Sequence, residues 1–283
     1  MLEGFHKGLA EAGMTEGQNV AVMYRWADGS YDRLAPLAAE LAGSPIQILF
    51  AVGGEPAARA AVAAGAKIPV VTVFASDPVR SGMIESLSHP GHNVTGVSIL
   101  SASIEPKRIG LMHDTLPQST AFAALLNPAN PTYAEQIAAV QAAAHGIGVE
   151  ITSLKAGSDQ DIETAFAAVD RQRIAAVLVS ADPFLLFKRA SIIALAEKNR
   201  IPVMYPYRDF AEAGGLMSYG VDLADSYRQM AAYAGRILKG ARPEDLPVAE
   251  PTKFEFVINL KAAKSLGITI PPGLLAIADE AIE

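Results

Sequence analysis

Residues 67–78 read KIPVVTVFASDP, and residues 200–209 read RIPVMYPYRD. Each stretch opens on a basic residue and Ile-Pro-Val, continues as a short apolar run, and reaches an aspartate, at Asp77 and Asp209. A short apolar run that is bounded by proline and polar residues is typical of a buried strand. The two similar stretches therefore predict a repeated unit in which a core strand leads into a carboxylate.

The similarity extends outward from both stretches. Ahead of the first come a helical apolar stripe at 34–41, the strand-like PIQILFAV at 45–52 and an Ala-rich helix at 55–65. Ahead of the second comes the strand-like VEITSL. It is followed, in the same helix–strand–helix order, by DQDIETAFAAVDRQ, IAAVLVSA and PFLLFKRASIIALAEKN. Short strands that alternate with helices form βαβ units and parallel sheets. The predicted fold class is therefore α/β, with two similar Rossmann-like lobes.

The repeat also predicts a missing element in the first lobe. The strand-like TAFAALLN at 120–127 precedes a helix in the second copy, whereas the corresponding helix of the first copy, at 3–13, has no strand before it. In a doubly wound sheet that strand would be central, and its neighbours would lose their ladder partners. We expect an earlier native start, a strand borrowed from another molecule, or a rearranged sheet; without borrowing, we expect a monomer.

Composition excludes several classes of function. The 283 residues carry a net charge of −7 with no basic cluster, which argues against a nucleic-acid partner. The chain has no cysteine, and no apolar run is long enough to span a bilayer. No dinucleotide, phosphate-loop or nucleophile-elbow motif follows a strand, so we expect neither a cofactor nor an enzyme. His89 and His92 have metal-like spacing but lack a third ligand, so we expect no metal site.

Ligands of parallel sheets bind beyond the carboxyl ends of the strands, and a cleft between two lobes is a common binding place. Glu55 and Asp182 are interpreted either as helix N-caps or as ligand contacts. Asp77 and Asp209 precede no evident helix and are interpreted as contacts to a ligand cation. The full set of predicted ligand-binding residues is Trp26, Gly54, Glu55, Ser76, Asp77, Asn127, Asp182, Phe184, Tyr205, Tyr207 and Asp209. Its aromatic members would stack on a flat ligand or pack loop against loop.

Three motifs link the chain to a known family. They are D-P-V-x-x-G at 77–82, P-G-x-N-V-T-G at 90–96 and N-L-x-A-A-K-x-L-G at 259–267. With them, the chain resembles the ABC-transporter substrate-binding proteins of the group that includes bacterial tryptophan and tyrosine binders. The resemblance implies type I periplasmic-binding-protein architecture, two lobes joined by crossing strands, and an extracytoplasmic location with a signal peptide upstream. It also implies a membrane permease as partner.

One motif departs from the resemblance. Amino-acid binders of this group have a G-T-P-A-A turn that holds the ligand carboxylate, and the corresponding residues here are 54–58, GEPAA. Glu55 replaces the threonine hydroxyl with a carboxylate, and like charges repel. We therefore expect a small solute, amino-acid-like or aromatic, that carries a hydrogen-bond-donating or cationic group.

The predicted function is capture of that solute in the interlobe cleft for delivery to the permease. The predicted lobes are residues 1–104 with 221–246, and 105–220 with 247–283, and the predicted hinge includes 95–97 and 218–220. The first alternative is the ligand-sensing domain of a regulator or receptor. The second is a two-lobe α/β enzyme that uses cleft carboxylates as acid and base.

Overall fold

The computed structural model describes residues 1–65, 67–99, 104–251 and 253–283. Its contacts divide the chain into two units, Met1–Leu100 with Asp222–Lys253, and Ser101–Val221 with Phe254–Glu283. Lobes joined by a hinge are bodies that move separately, which is a different property from a division by contacts. The predicted lobe boundaries and the predicted hinge therefore remain predictions. Residues 100–103, next to the predicted lobe boundary at 104, and residue 252 lie outside the described residues.

The elements follow one another as a regular alternation of helix and strand. Up to residue 126 they are α1 (Leu2–Glu11), α2 (Leu34–Ala42), β1 (Leu49–Ala51), α3 (Gly54–Ala64), β2 (Val70–Phe74), β3 (Val94–Ser98), α4 (Glu105–Thr115) and β4 (Ala121–Leu126). Then come α5 (Tyr133–Gly146), β5 (Glu150–Lys155), α6 (Asp159–Arg171), β6 (Ala176–Val179), α7 (Pro183–Phe187), α8 (Arg189–Lys198), β7 (Val203–Tyr205) and α9 (Arg208–Glu212). The last are β8 (Met217–Val221), α10 (Leu223–Leu238), β9 (Phe254–Asn259), α11 (Leu260–Leu266), α12 (Pro272–Ile277) and β10 (Glu280–Ile282).

The first unit is built on a parallel sheet whose described strands have the order β1-β2-β3. All five residues of β2 are buried, as expected for a β-branched and aromatic run that packs on both faces. Ala57, Ala58 and Ala61 of α3 are also buried, and their small side chains let the helix lie close to the sheet. The predicted strand at 70–74 is therefore the central strand of this sheet.

The inclusion of Trp26 among the site residues assumed that it lies at the carboxyl end of a strand, and that assumption is wrong. Residues 21–26 join no ladder in the described part of the chain, although Val22 and Tyr24 are half-buried while Ala21 and Met23 are exposed. This alternation is the side-chain pattern of a strand. In a doubly wound sheet, a strand that pairs with this segment would lie between the segment and β1. The only described strand beside β1 is β2, on its other side. The segment therefore has the pattern of a strand without its hydrogen bonds.

Helix α1 packs on α10 in the same unit through glycines. A Cβ atom on Gly4 would stand 2.1 Å from the carbonyl oxygen of Ala224, and one on Gly8 would stand 2.1 Å from that of Arg228. No side chain fits at either place, so the helices approach more closely than larger residues would permit. Arg228 adds ion pairs to Glu11 of α1 and to Asp225 of its own helix.

The second unit has a larger sheet, with the described strands in the order β10-β9-β8-β7-β6-β4-β5. Every neighbouring pair is parallel except β8 and β9, which are antiparallel. Strand β6 is buried along its whole length, and a large apolar core that includes Phe122, Leu178 and Ile258 lies against the sheet. The predicted α/β class with parallel sheets is confirmed. Within the described ranges, no helix combines the length and apolar character that crossing a membrane requires.

Candidate functional site

Asp182 follows β6 and is the N-cap of α7. Its Oδ1 accepts hydrogen bonds from the backbone N–H groups of Phe184 and Leu185, at 2.9 and 3.1 Å. The side-chain amide of Asn127 donates to the same oxygen at 3.2 Å, and that of Asn130 donates to Oδ2 at 2.8 Å. With only 2% of its surface exposed, Asp182 is bonded on both oxygens. The capping interpretation therefore describes its geometry, and the carboxylate also fastens the loop after β4.

The two asparagines order that loop in turn. Asn127 Oδ1 accepts from the backbone N–H of Ala129 at 3.0 Å, and Asn130 Oδ1 accepts from that of Thr132 at 2.9 Å. Such bonds to the backbone two residues ahead are characteristic of Asx turns. The structure therefore brings Asn127 and Asp182, both predicted site residues, into direct contact at the carboxyl edge of the second unit's sheet.

The aromatic residues of this edge are largely buried. Tyr205 ends β7 and stacks on Phe210, with ring centroids 4.8 Å apart. Burial raises the pKa of Tyr205, and it raises the pKa of Tyr207 to about 12, with Asp182 among the carboxylates that add to the effect. Phe184 has 9% of its surface exposed. Tyr205 is therefore a core residue, whereas Tyr207 lies among charged groups.

Sequence analysis missed a buried ion pair beside Tyr207. Arg108 is completely buried; its Nη1 donates to Glu105 Oε1 at 2.7 Å and its Nε to the carbonyl oxygen of Tyr219 at 2.8 Å. Its Nη2 lies 3.4 Å from the carbonyl oxygen of Pro206. Burial raises the pKa of Glu105, although the charge of Arg108 acts in the opposite direction. Glutamate and arginine three positions apart normally indicate an exposed helix face, so the sequence carried no signal of this burial.

The expectation that no helix begins at Asp209 is wrong, because this residue lies in the first turn of α9. A five-residue helix is too short to show a periodic pattern. Its neighbour Arg208 contacts three carboxylates, those of Glu212, Glu255 and Glu280. These contacts raise the pKa of Arg208 and connect α9 with β9 and β10.

In the first unit, Glu55 lies in the first turn of α3 but is not its N-cap, which is Gly53. The carboxylate is 1% exposed; Oε2 accepts from the Ser76 hydroxyl at 2.8 Å, and Oε1 lies 2.8 Å from Arg59 Nη2. Gly54 has a φ of +66°, a conformation that side chains rarely adopt. The three predicted residues Gly54, Glu55 and Ser76 therefore lie together, with the carboxylate bonded inside the unit.

Asp77 and Trp26 are exposed in this unit. Asp77 Oδ1 accepts from the backbone N–H groups of Val79 and Arg80, at 3.0 and 3.1 Å, which stabilises the turn after β2. Trp26 is 53% exposed and stacks on Tyr24 with ring centroids 6.0 Å apart. Both residues are accessible to a ligand. The position of the Asp77 carboxylate is explained by its two bonds within the turn.

The described side chains offer hydrogen bonds and charge rather than metal ligation. No three His, Asp or Glu residues in the described ranges are grouped so that they could hold a metal ion. His89 Nδ1 lies 3.9 Å from Asp245. The buried carboxylates Glu55 and Asp182 accept hydrogen bonds within their own units, and Glu105 forms an ion pair with Arg108.

Comparison with known proteins gives a consistent result. A family model described as ABC transporter substrate binding protein matches residues 1–282. A tyrosine-binding protein of Clostridioides difficile (strain R20291) is 23% identical over 264 residues, which cover 93% of this chain and 75% of that protein.

Two crystal structures have closely similar folds. A conserved domain protein from Vibrio cholerae O1 biovar El Tor (strain N16961) is 28% identical with a TM-score of 0.91, covering 99% of this chain and 93% of its own. The ABC domain from Streptococcus pneumonia in complex with L-Trp is 25% identical with a TM-score of 0.88, covering 99% of this chain and 94% of its own.

Proposed function

The chain belongs to the family of ABC transporter substrate-binding proteins, and on this premise we propose that its solute is a small amino-acid-like or aromatic molecule. A member of this family binds a small molecule and has a membrane permease as its partner. The family and its relatives favour this role over a sensing domain and over an enzyme. We further propose that no bond of the solute is made or broken.

The observation that carries the proposal is the convergence of predicted residues at one sheet edge. Asn127, Asp182 and Tyr207 follow β4, β6 and β7, and these three strands are neighbours in the sheet. The carboxyl edge of a parallel sheet is where small ligands bind in such folds. Buried polar groups beside aromatic rings provide both orientation and contact area for a flat solute.

Two relatives support the aromatic part of the proposal. The tyrosine-binding protein and the structure that contains L-Trp both have aromatic amino acids in their names or descriptions. Glu55 argues for a solute that differs from a simple amino acid, since its buried carboxylate would repel a ligand carboxylate placed near the start of α3.

The location and assembly follow from the same premise. Substrate-binding proteins of ABC importers work outside the cytoplasmic membrane, and we propose that a signal peptide directs this protein there. We propose that it acts as a monomer that delivers its solute to the permease.

A thermal-shift screen tests the proposed function. The panel contains amino acids, aromatic acids, aromatic amines and ureas. Each compound is present at a concentration far above the micromolar range, so that it exceeds a micromolar Kd. A ligand at 100 times its Kd adds about 2.7 kcal/mol to the free energy of unfolding. We expect a clear rise in Tm for an aromatic or amino-acid-like compound. A panel in which only sugars or inorganic ions raise Tm would contradict the proposal, so glucose and phosphate are included as controls.

A further inference from the structure

Some buried side-chain oxygens of the second unit lack a hydrogen-bond partner. They include Glu105 Oε2, Ser180 Oγ and Ser218 Oγ. These residues are 2%, 1% and 0% exposed, respectively. Buried polar atoms are nearly always hydrogen-bonded in native proteins, so each of these oxygens requires an explanation.

The three oxygens belong to the carboxyl edge of neighbouring strands. Ser180 directly follows β6, and Ser218 of β8 is paired in register with Tyr205, the last residue of β7. Glu105 reaches the same edge through Arg108, whose Nη2 lies 3.4 Å from the carbonyl oxygen of Pro206, immediately after β7. The unpartnered oxygens therefore lie where the fold places ligands.

The charge at this edge is negative. The groups whose charges act on Tyr207 include the carboxyls of Glu105, Asp182 and Asp209 and the guanidinium of Arg108. When all are ionised, three negative charges face one positive charge, and that positive charge is already bonded to Glu105 and to backbone carbonyls. The edge therefore attracts a positive group and repels a negative one.

Two other cations of the same unit, Arg208 and Lys188, are engaged elsewhere. Arg208 pairs with three carboxylates, and Lys188 Nζ lies 2.7 Å from Asp159. Lys188 also stands over the rings of Phe184 and Phe187, at 5.8 and 5.7 Å from their centroids. Neither Arg208 nor Lys188 forms an ion pair with Glu105, so neither neutralises its charge.

We propose that the solute carries a cationic nitrogen that donates a hydrogen bond to Glu105 Oε2 at this edge. The guanidinium of Arg108, 2.7 Å from Glu105 Oε1, favours the ionised carboxylate and opposes the effect of burial on its pKa. An ionised carboxylate only accepts hydrogen bonds, so the partner of Oε2 must be a donor. A cationic nitrogen supplies both the donor and a second positive charge beside Glu105, and such charge-assisted bonds are the stronger kind. This inference rests on the proposed function and narrows its solute to an amine, amidine or guanidine.

The first test uses probes that differ in charge but share a ring. Tryptamine is compared with indole-3-propionate, and tyramine with 3-(4-hydroxyphenyl)propionate, by isothermal titration calorimetry on the whole protein. We expect each amine to bind at least about 10-fold more tightly than its acid, which is the effect of one charge-assisted hydrogen bond. Tighter binding of the acids would overturn the inference and leave the proposed function standing. Failure of all four probes and of the wider panel would contradict the proposed function itself.

The second test uses the variant Glu105→Gln, which keeps the shape of the side chain but removes its charge. We expect amine binding to weaken by about 10-fold to 100-fold, with little change for a neutral ring such as indole. The matched control is Glu163→Gln, at an exposed position of α6, which should leave amine binding unchanged. Equal amine affinity in the Glu105→Gln variant and the parent protein would overturn the inference. If the variant fails to fold, as judged by circular dichroism, the ring-matched probes of opposite charge decide the question.

Discussion

At the residue scale, one carboxylate can organise an entire loop. Asp182 caps α7 and receives the amides of Asn127 and Asn130, so three segments depend on it. A cap alone contributes about 1 kcal/mol. The buried asparagine donors add more, because each would lose its partner if the carboxylate were removed.

We therefore expect Asp182→Ala to lower the free energy of unfolding by about 2–4 kcal/mol. The control is Ser158→Ala at the N-cap of α6, where the hydroxyl accepts one bond from the backbone N–H of Asp161 at 3.1 Å. That change should cost only about 1 kcal/mol. Urea denaturation of both variants measures the difference. Equal costs would show that the asparagine bonds contribute nothing to stability.

The same residues show what sequence could and could not predict about the site. Asn127 and Asp182 were predictable, since each directly follows a recognisable apolar strand. The pair Glu105–Arg108 was not, because burial of a charged pair depends on the carbonyl groups of Pro206 and Tyr219, which are distant in sequence. Local pattern carries no information about such a long-range contact.

At the element scale, the contact between α1 and α10 depends on missing side chains. Gly4 and Gly8 have the backbone of α10 where a Cβ would be, so any larger residue must push the helices apart. Glycine costs a helix roughly 1 kcal/mol relative to alanine, which this close packing offsets.

Gly8→Ala is expected to destabilise the protein by about 1–3 kcal/mol, because the added methyl overpacks the contact. The matched control is Gly110→Ala in α4, where an added Cβ would meet nothing within 4 Å. That change should raise stability by about 0.5–1 kcal/mol through helix propensity alone. Thermal unfolding followed by circular dichroism compares the two variants. The packing account fails if both substitutions change Tm in the same direction.

The free edge of β1 is the second feature at this scale. Residues 21–25 have the alternating exposure of a strand, but residues 21–26 join no described ladder. We expect their backbone amides to exchange with deuterium rapidly, in contrast to the buried strand β2, whose exchange should be among the slowest in the unit. An added apolar strand that paired beside β1 should slow exchange at 21–26. Slow exchange at these residues without such a strand would mean that the edge is already protected.

This edge also marks a limit of sequence analysis. The repeat predicted β2 and β7 correctly because each is a compact apolar run bounded by proline and polar residues. It failed at Trp26 because a strand requires a neighbour as well as a pattern, and periodicity reports only the pattern. The short helix α9 was missed for a different reason, since five residues do not complete two helical turns.

At the scale of the whole molecule, neither unit is one continuous stretch of chain. The first unit takes α10 from a distant part of the sequence, and the second takes β9 and β10. The two sequence copies predicted a pair of α/β units. The contribution of distant segments to each unit was predicted from the family resemblance and not from periodicity. We still predict that two lobes move as separate bodies. These lobes are residues 1–104 with 221–246, and residues 105–220 with 247–283.

The central claim is that this protein captures a small solute without changing it. Isothermal titration calorimetry with the compound that raises Tm most, followed by mass spectrometry of the recovered compound, tests this most directly. We predict saturable binding with one solute per chain, a negative heat-capacity change from buried apolar surface, and recovery of the compound intact. Conversion of the compound to a product, or the absence of saturable heat at any concentration tested, would contradict the claim.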